Sequence, residues 1–301
     1  MGAALTRREF LQLAAAAGAG VTVLSSGRSV AAARSRHAAG VAGTAILIDI
    51  ARCIGCRSCE AACKAYHRFP AGEAQDLSPT AWTYVRTQAL RTPRPHLNLG
   101  AGGAGRRTFK VQCMHCLEPA CASACPVAAL QKTPQGPVTY DASRCIGCRY
   151  CMVACPFQIP RFEWRKPLPT IAKCNMCAER QKRGERPACI EACPVQALQF
   201  GPRAAMLAEA TQRIGADPRY VPQIYGAEEV GGTSILYVSD VPFEELGFPV
   251  VTREPLPAYT WRVLGKLPGI VLTLGALLTA VEMLARRQQQ GPRTPDAGGE
   301  A

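Results

Sequence analysis

With 301 residues, 48% of them hydrophobic, the chain is long enough for one large or two small domains. Its formal net charge of +13 invites a nucleic-acid partner, yet neither a helix-turn-helix pattern nor an aromatic-basic platform accompanies it. The chain also holds 16 cysteines, and they decide how the rest of the sequence is read.

At the N-terminus, Thr6-Arg7-Arg8-Glu9-Phe10-Leu11 precedes an Ala/Gly-rich apolar stretch from Leu11 to Leu24, and Ala31-Ala32-Ala33 offers a small-residue cleavage site. Twin arginines before Phe-Leu resemble the export signal of the Tat route, so residues 1–33 are expected to be a Tat-type signal segment, cleaved or retained. Ile46-Leu47-Ile48-Asp49 then reads as a strand leading into the first cysteines.

Cys53, Cys56, Cys59 and Cys63 form that first group, spaced C-x2-C-x2-C-x3-C. Residues 64–112 read as an insertion whose Pro/Gly-rich stretch Pro93 to Arg107 is expected to be a loop. Cys113, Cys116, Cys121 and Cys125 make the second group, with one wider gap, before Pro126. Ala129 to Lys132 and Val138 to Tyr140 flank a Thr-Pro-Gln-Gly-Pro turn and predict a hairpin. The third group, Cys145, Cys148, Cys151 and Cys155, repeats the spacing of the first and ends at Pro156. The fourth, Cys174, Cys177, Cys189 and Cys193, has eleven residues between its second and third members and ends at Pro194. Its long gap holds Arg180, Lys182, Arg183 and Arg186, read as a solvated loop rather than a docking surface. Val195 to Phe200 predicts a strand and Arg203 to Ile214 an amphipathic helix capped by Gly215.

Every cysteine belongs to one of the four groups. Such runs supply thiolates to cubane iron–sulfur clusters, so all sixteen are candidate iron ligands and the cofactors are expected to be four [4Fe–4S] clusters. Structural zinc favours two CxxC pairs across a longer loop, a pattern that only the fourth group approaches. Disulfides between distant loops are poorly served by cysteines two or three residues apart. An all-thiolate cluster carries about −2, so four absorb most of the basic excess. Gly55 and Gly147, between the first two ligands of their runs, allow φ > 0 and close approach of backbone N–H groups to sulfur. Ile54 and Ile146 are expected to shield the clusters from water, and Pro126, Pro156 and Pro194 to stop the short helices at the last ligands. Lys64 stands where the first run would have its proline.

In two-cluster ferredoxins the fourth cysteine of a run ligates the other cluster. Pairing groups two and three gives Cys113, Cys116, Cys121 with Cys155, and Cys145, Cys148, Cys151 with Cys125. Groups one and four then give Cys53, Cys56, Cys59 with Cys193, and Cys174, Cys177, Cys189 with Cys63. Sequence order alone equally allows pairing one with two and three with four. The expected fold is α+β: two ferredoxin-like dicluster units of short strands and helices over residues 44–246.

Residues 247–265 read as a linker. Leu267 to Val281 is uncharged, and extended to Ala285 it spans about 28 Å, enough for a bilayer core, so an anchor is expected over 266–285. Arg286 and Arg287 follow it, putting the C-terminus on the cytoplasmic side, and 286–301 is expected to be a disordered tail. His37, His67, His96 and His115 lack a catalytic constellation; His115, inside Cys113-Met114-His115-Cys116, reads as a hydrogen-bond donor to a cluster. No catalytic residue is expected.

Gln112-Cys113-Met114-His115-Cys116 and the run Cys145-Ile146-Gly147-Cys148-Arg149-Tyr150-Cys151-Met152-Val153-Ala154-Cys155-Pro156-Phe157 resemble the four-cluster iron–sulfur subunits of membrane-bound respiratory complexes. That family includes formate dehydrogenase beta subunits and the HybA-type subunit of hydrogenase-2. Tyr225-Gly226-Ala227-Glu228-Glu229-Val230-Gly231-Gly232-Thr233 is similar to both, and the resemblance spans about residues 44–285. It implies a non-catalytic electron-transfer subunit on the periplasmic side of the cytoplasmic membrane. Its implied partners are a periplasmic catalytic subunit, either a NiFe hydrogenase or a molybdopterin oxidoreductase, and an integral quinone-reactive or cytochrome b subunit. A Tat signal of its own and Val241-Pro242-Phe243-Glu244-Glu245-Leu246 look HybA-like, which favours hydrogenase over formate dehydrogenase. A nucleic-acid-binding zinc or cluster protein is the remote alternative.

Overall fold

The computed structural model describes residues 43–91, 105–166 and 170–289. The Tat-type signal, His37, His96, most of the predicted loop Pro93 to Arg107 and the end of the tail lie outside the described residues. Residues 35–258 form one compact unit, and the C-terminal helical segment belongs to another.

In the first unit, strand β1 (Thr44–Asp49) leads to the first cysteines and helix α1 (Ser58–His67) carries Cys59 and Cys63. The insertion contains a hairpin of β2 (Tyr84–Ala89) and β3 (Arg106–Val111). Short helix α2 (Ala120–Ser123), hairpin strands β4 (Leu130–Lys132) and β5 (Val138–Tyr140), and helix α3 (Tyr150–Ala154) follow. A two-residue ladder of β6 (Arg161–Phe162) and β7 (Ile171–Ala172) comes next, then helices α4 (Ala178–Lys182) and α5 (Ala188–Glu191). β8 (Leu198–Pro202), α6 (Arg203–Ala216) and β9 (Ile235–Val238) complete the unit.

The one three-stranded sheet among the described residues has the order β8-β1-β9, with β1 antiparallel to β8 and parallel to β9. Ile46, Leu47, Ile48 and Ile50 are all essentially inaccessible, each burial being worth about 1.5–3 kcal/mol. Both faces of β1 are covered: Ile46 and Ile48 enter an aromatic core with Phe109, Tyr225 and Tyr237, while Leu47 packs with Ala210 on α6 and Leu236. At the strand's end the buried Asp49 accepts from Arg213 at 2.8 Å and from the Tyr220 hydroxyl at 2.8 Å. That ion pair holds the entry to the Cys53 loop.

Four expectations are corrected here. The predicted loop Pro93 to Arg107 overruns into β3, which starts at Arg106 because β2 supplies a ladder partner. Gly215 lies inside α6, which runs to Ala216; without a left-handed turn after Ile214 it does not act as a cap. The basic residues of the fourth group's gap are partly helical, and neighbouring carboxylates neutralise them: Lys182 with Glu179 at 2.8 Å, Arg183 with Glu185 at 2.6 Å and Arg180 with Glu191 at 2.7 Å. The expected linker 247–265 holds a helix, α7 (Leu256–Leu264).

In the C-terminal segment α8 (Leu267–Gln289) follows α7 after two residues. Residues Leu256–Arg286 have a mean hydropathy of 1.9 in their most apolar window, and none of that window is buried. Length and composition suffice to cross a bilayer. Pro268 and Gly269 sit in the first turn of α8, where proline's missing N–H breaks no helical bond.

Candidate iron–sulfur centres

β1 and β8 explain how distant cysteine groups meet. β1 enters the first group and β8 leaves the fourth, and they pair antiparallel with Ile48 opposite Leu198, so Cys53 and Cys193 emerge at the same end of the ladder. α1 packs on α5 in this half. In the other half the β4–β5 hairpin returns the chain from Cys125 to Cys145, and α2 packs on α3.

Cysteines from different groups come together. Cys53, Cys56, Cys59 and Cys193 line one recess together with Ile54, Val85 and Lys110. Cys125, Cys145, Cys148 and Cys151 line another with Ile146 and Leu130. Burial raises the Cys63 thiol above its ordinary range, and Cys174, Cys189 and Cys177 add to the shift. Burial likewise raises Cys116 well up, reinforced by Cys113, Cys155 and Cys121. A buried thiol surrounded by like groups resists ionisation, so the ordinary thiolate is disfavoured unless positive charge, such as iron, joins it.

Backbone geometry suits cubane ligation. The third residue of the first C-x2-C segment in each group is left-handed: Gly55 at φ 71°, His115 at 49°, Gly147 at 71° and Met176 at 54°. The turn aims amides at sulfur, as when the Met176 N–H donates to Cys174 Sγ at 3.3 Å; after the second group, the Ala129 N–H donates to Cys125 Sγ at 3.2 Å. Only two of the four left-handed positions carry the glycine that announces them in sequence. At the other two a His and a Met bear the cost of order 1 kcal/mol that a non-glycine residue incurs there. Among the described residues, no three His, Cys, Asp or Glu side chains converge closely enough for a single ion. A cubane asks for wider spacing, because each thiolate binds a different iron.

The helices differ at their ends as their sequences do. α2, α3 and α5 stop within three residues of Pro126, Pro156 and Pro194, whereas α1 continues to His67. Lys64 retains the N–H that proline would remove. Its ammonium also pairs with the buried Glu60 at 3.6 Å and donates to the Gly72 carbonyl, pinning the insertion. Ile54 lines its recess half-buried, but Ile146 is 65% exposed and shields only one side of its own.

Several buried polar groups surround the quartets. His115 is fully buried; Nδ1 accepts from the Val138 N–H at 2.9 Å, which puts the ring proton on Nε2, and Nε2 has no partner among the described residues. Burial, with Lys173, Lys132 and Lys110 nearby, holds the imidazole neutral. That orphaned donor fits the reading of His115 as a hydrogen-bond donor to cluster sulfur. Gln112, beside Cys113, is also buried with its amide unpartnered. Lys132 donates to the carbonyls of His115 and Gly136, and Lys173 to those of Val138 and Cys174. Sequence reading missed these lysines, since nothing local marks a buried one.

Residues 106–203 match the family model for a 4Fe–4S dicluster domain. A protein of Nitratidesulfovibrio vulgaris is 40% identical over 95% of this chain and 78% of its own length. The hydrogenase-2 operon protein HybA of Escherichia coli O157:H7 is 34% identical over 94% of this chain and 95% of its own length. The chain belongs to the family of HybA and formate dehydrogenase iron–sulfur subunits. Within that family, the nitrate-inducible formate dehydrogenase iron–sulfur subunit of Escherichia coli K12 is 36% identical over 73% of this chain and 77% of its own length. The family's electron-transfer role accords with the cysteine groups and the dicluster domain.

Proposed function

We propose that this subunit carries electrons through four [4Fe–4S] clusters, from a periplasmic NiFe hydrogenase to an integral quinone-reducing subunit. The observation that carries the reading is the way the quartets adjoin. Cys59 of the first quartet lies in the field of Cys189, which belongs with Cys63, Cys174 and Cys177. Cys174 packs with Cys113 of the third quartet. Cys121 of that quartet lies near Cys151, which belongs with Cys125, Cys145 and Cys148. The quartets therefore follow one another as a row. Each cluster supplies reversible one-electron storage when bound; the protein holds the row at fixed spacing and keeps water from its middle.

The two ends of the row are open: Cys56 is exposed, and Ile146, Tyr150 and Val153 are exposed around the last recess. Those ends are where electrons enter and leave. The near full-length match to HybA favours a hydrogenase donor; the formate dehydrogenase relatives support a second reading, a molybdopterin oxidoreductase as donor. Leu256–Arg286 anchors the subunit, after export by the Tat route through residues 1–33. Residues 44–246 form the cluster domain, with no catalytic acid, base or nucleophile.

Iron and sulfide analysis of the purified subunit tests the cofactors: about sixteen Fe per chain is expected, and zinc with little iron overturns the reading. Purification of the intact complex identifies the catalytic partner. Cys193→Ser is expected to disturb the EPR signal of the cluster held by Cys53, and disturbance of the Cys174 cluster instead overturns the pairing. A chain ending at Arg262 is expected to leave the membrane on carbonate extraction, and its retention there overturns the anchor.

A further inference from the structure

Lys110 is the penultimate residue of β3, and it is 1% exposed. Strand alternation sends Phe109 into the aromatic core against Phe248, with ring centroids 5.2 Å apart, and turns Thr108 and Lys110 to the opposite face. There the Thr108 hydroxyl reaches the Cys53 carbonyl at 3.4 Å and Cys53 Sγ at 4.0 Å, and Lys110 lines the recess of Cys53, Cys56, Cys59 and Cys193.

Lys110 does not belong to that recess alone. The groups in its electrostatic reach are Cys189, Cys174, Cys59 and Cys63, three of which belong to the neighbouring quartet. The contrast with Lys132 and Lys173 is instructive, for both of those find carbonyl acceptors. Among the described residues the Lys110 ammonium has no hydrogen-bonded oxygen, and sulfur is the compensation at hand. A buried cation costs several kcal/mol unless an opposite charge accompanies it. Two adjacent thiolate-ligated clusters supply that charge.

We propose that Lys110 is the shared counter-cation of the two neighbouring sites, the one held by Cys53, Cys56, Cys59 and Cys193 and the one held by Cys63, Cys174, Cys177 and Cys189. By favouring the added electron in both, it raises both reduction potentials together and keeps the first step of the row nearly level. The inference rests on the four-cluster reading and on its pairing of groups one and four. Net charge is among the levers that set cluster potentials, and Lys110 applies it at the joint between two sites.

The test is an EPR-monitored redox titration of the full chain in its complex, with iron content measured on each sample. Lys110→Met is expected to shift two of the four couples negative by at least about tenfold in reduction equilibrium constant, ~59 mV for one electron. Lys110→Arg is expected to restore most of the shift, and Lys110→Gln, neutral but still a donor, to fall between Met and Arg. The two couples of groups two and three should stay in place. No shift at full iron content overturns the proposal, as does a shift in one couple only or an equal shift in all four. Should Met and Gln variants lose iron from the two sites while Arg retains it, the counter-cation role is supported; loss in the Arg variant as well makes Lys110 a packing residue and overturns it. Fewer than four couples in the unsubstituted protein would instead count against the four-cluster reading itself.

Discussion

The two halves of the cluster-bearing unit solve the same ligation problem with different surroundings. Groups two and three lie under a short hairpin, and their outer recess ends in exposed Ile146, Tyr150, Val153 and Trp164. Groups one and four lie against the three-stranded sheet and beneath the β2–β3 hairpin of the insertion. Cys63, Cys174, Cys177 and Cys189 are all buried, and no other quartet is. The identical Cys-Ile-Gly-Cys-Arg segments also share a backbone, with Gly55 and Gly147 at φ 71° and Arg57 and Arg149 at 59° and 63°. Local sequence sets the loop, and the partner elements set its exposure. Exposure is one of the factors that tunes a cluster's potential, so one repeated loop can serve two sites with different surroundings.

The insertion's hold on its half offers the largest test. Arg107 of β3 makes a buried two-pronged ion pair with Asp240, its Nη2 at 2.8 Å from Oδ2. Removing one partner of a buried pair costs about 3–5 kcal/mol, while replacing both with apolar groups is often neutral. Arg107→Met should therefore loosen the hairpin and roughly halve the iron content, the loss falling on groups one and four. Arg107→Met with Asp240→Leu should recover most of it. Equal loss from both halves would show that the halves do not differ in the way described.

A smaller effect concerns Gly55. A Cβ there would suffer left-handed strain of about 1 kcal/mol and would stand 2.9 Å from Thr108 Oγ1. Gly55→Ala should lower the temperature at which visible cluster absorbance is lost, and adding Thr108→Ala should recover part of the loss. If the double variant is no better than Gly55→Ala, the insertion does not press on the first loop.

How much of this was legible in sequence follows the range of the interactions. The strand at Ile46, the hairpin around Thr133-Pro134, and the helical turns at Cys59 and Cys151 rest on local pattern and are present. The cysteine spacing likewise pointed to a 4Fe–4S dicluster protein, the family that the comparisons show. The rest depended on partners far along the chain. β3 absorbs Arg106 and Arg107 because β2 pairs with it, and Lys64 replaces a proline because Glu60 and the insertion need its charge. Lys110 reads in sequence as one more surface lysine between Phe109 and Val111. Only the packing of β3 against both loops turns it into a buried cation. His115 and Met176 show the converse: a left-handed turn that glycine would advertise can fall on residues that conceal it.

The smallest expected effect concerns His67, at the end of the extra turn that α1 gains in the first half. Its ring lies 4.4 Å from that of Trp82 and 5.6 Å from that of Phe69, and burial lowers its pKa below the ordinary 6.5. With the folded value below the unfolded one, the unfolded chain takes up the proton first as pH falls. The stability contributed by neutral His67 is complete above about pH 6.5 and is lost as pH drops from there through the folded value. The ring is partly exposed, so solvent moderates the effect. His67→Phe keeps the aromatic stack and removes the titration. Between pH 7.5 and 5.5 the thermal loss of cluster absorbance should shift less in that variant than in the unsubstituted chain. Because α3 ends before Pro156 without such a turn, the difference should be confined to the clusters of groups one and four; identical pH slopes in the two proteins would leave the aromatic stack with no part in the acid sensitivity of that half.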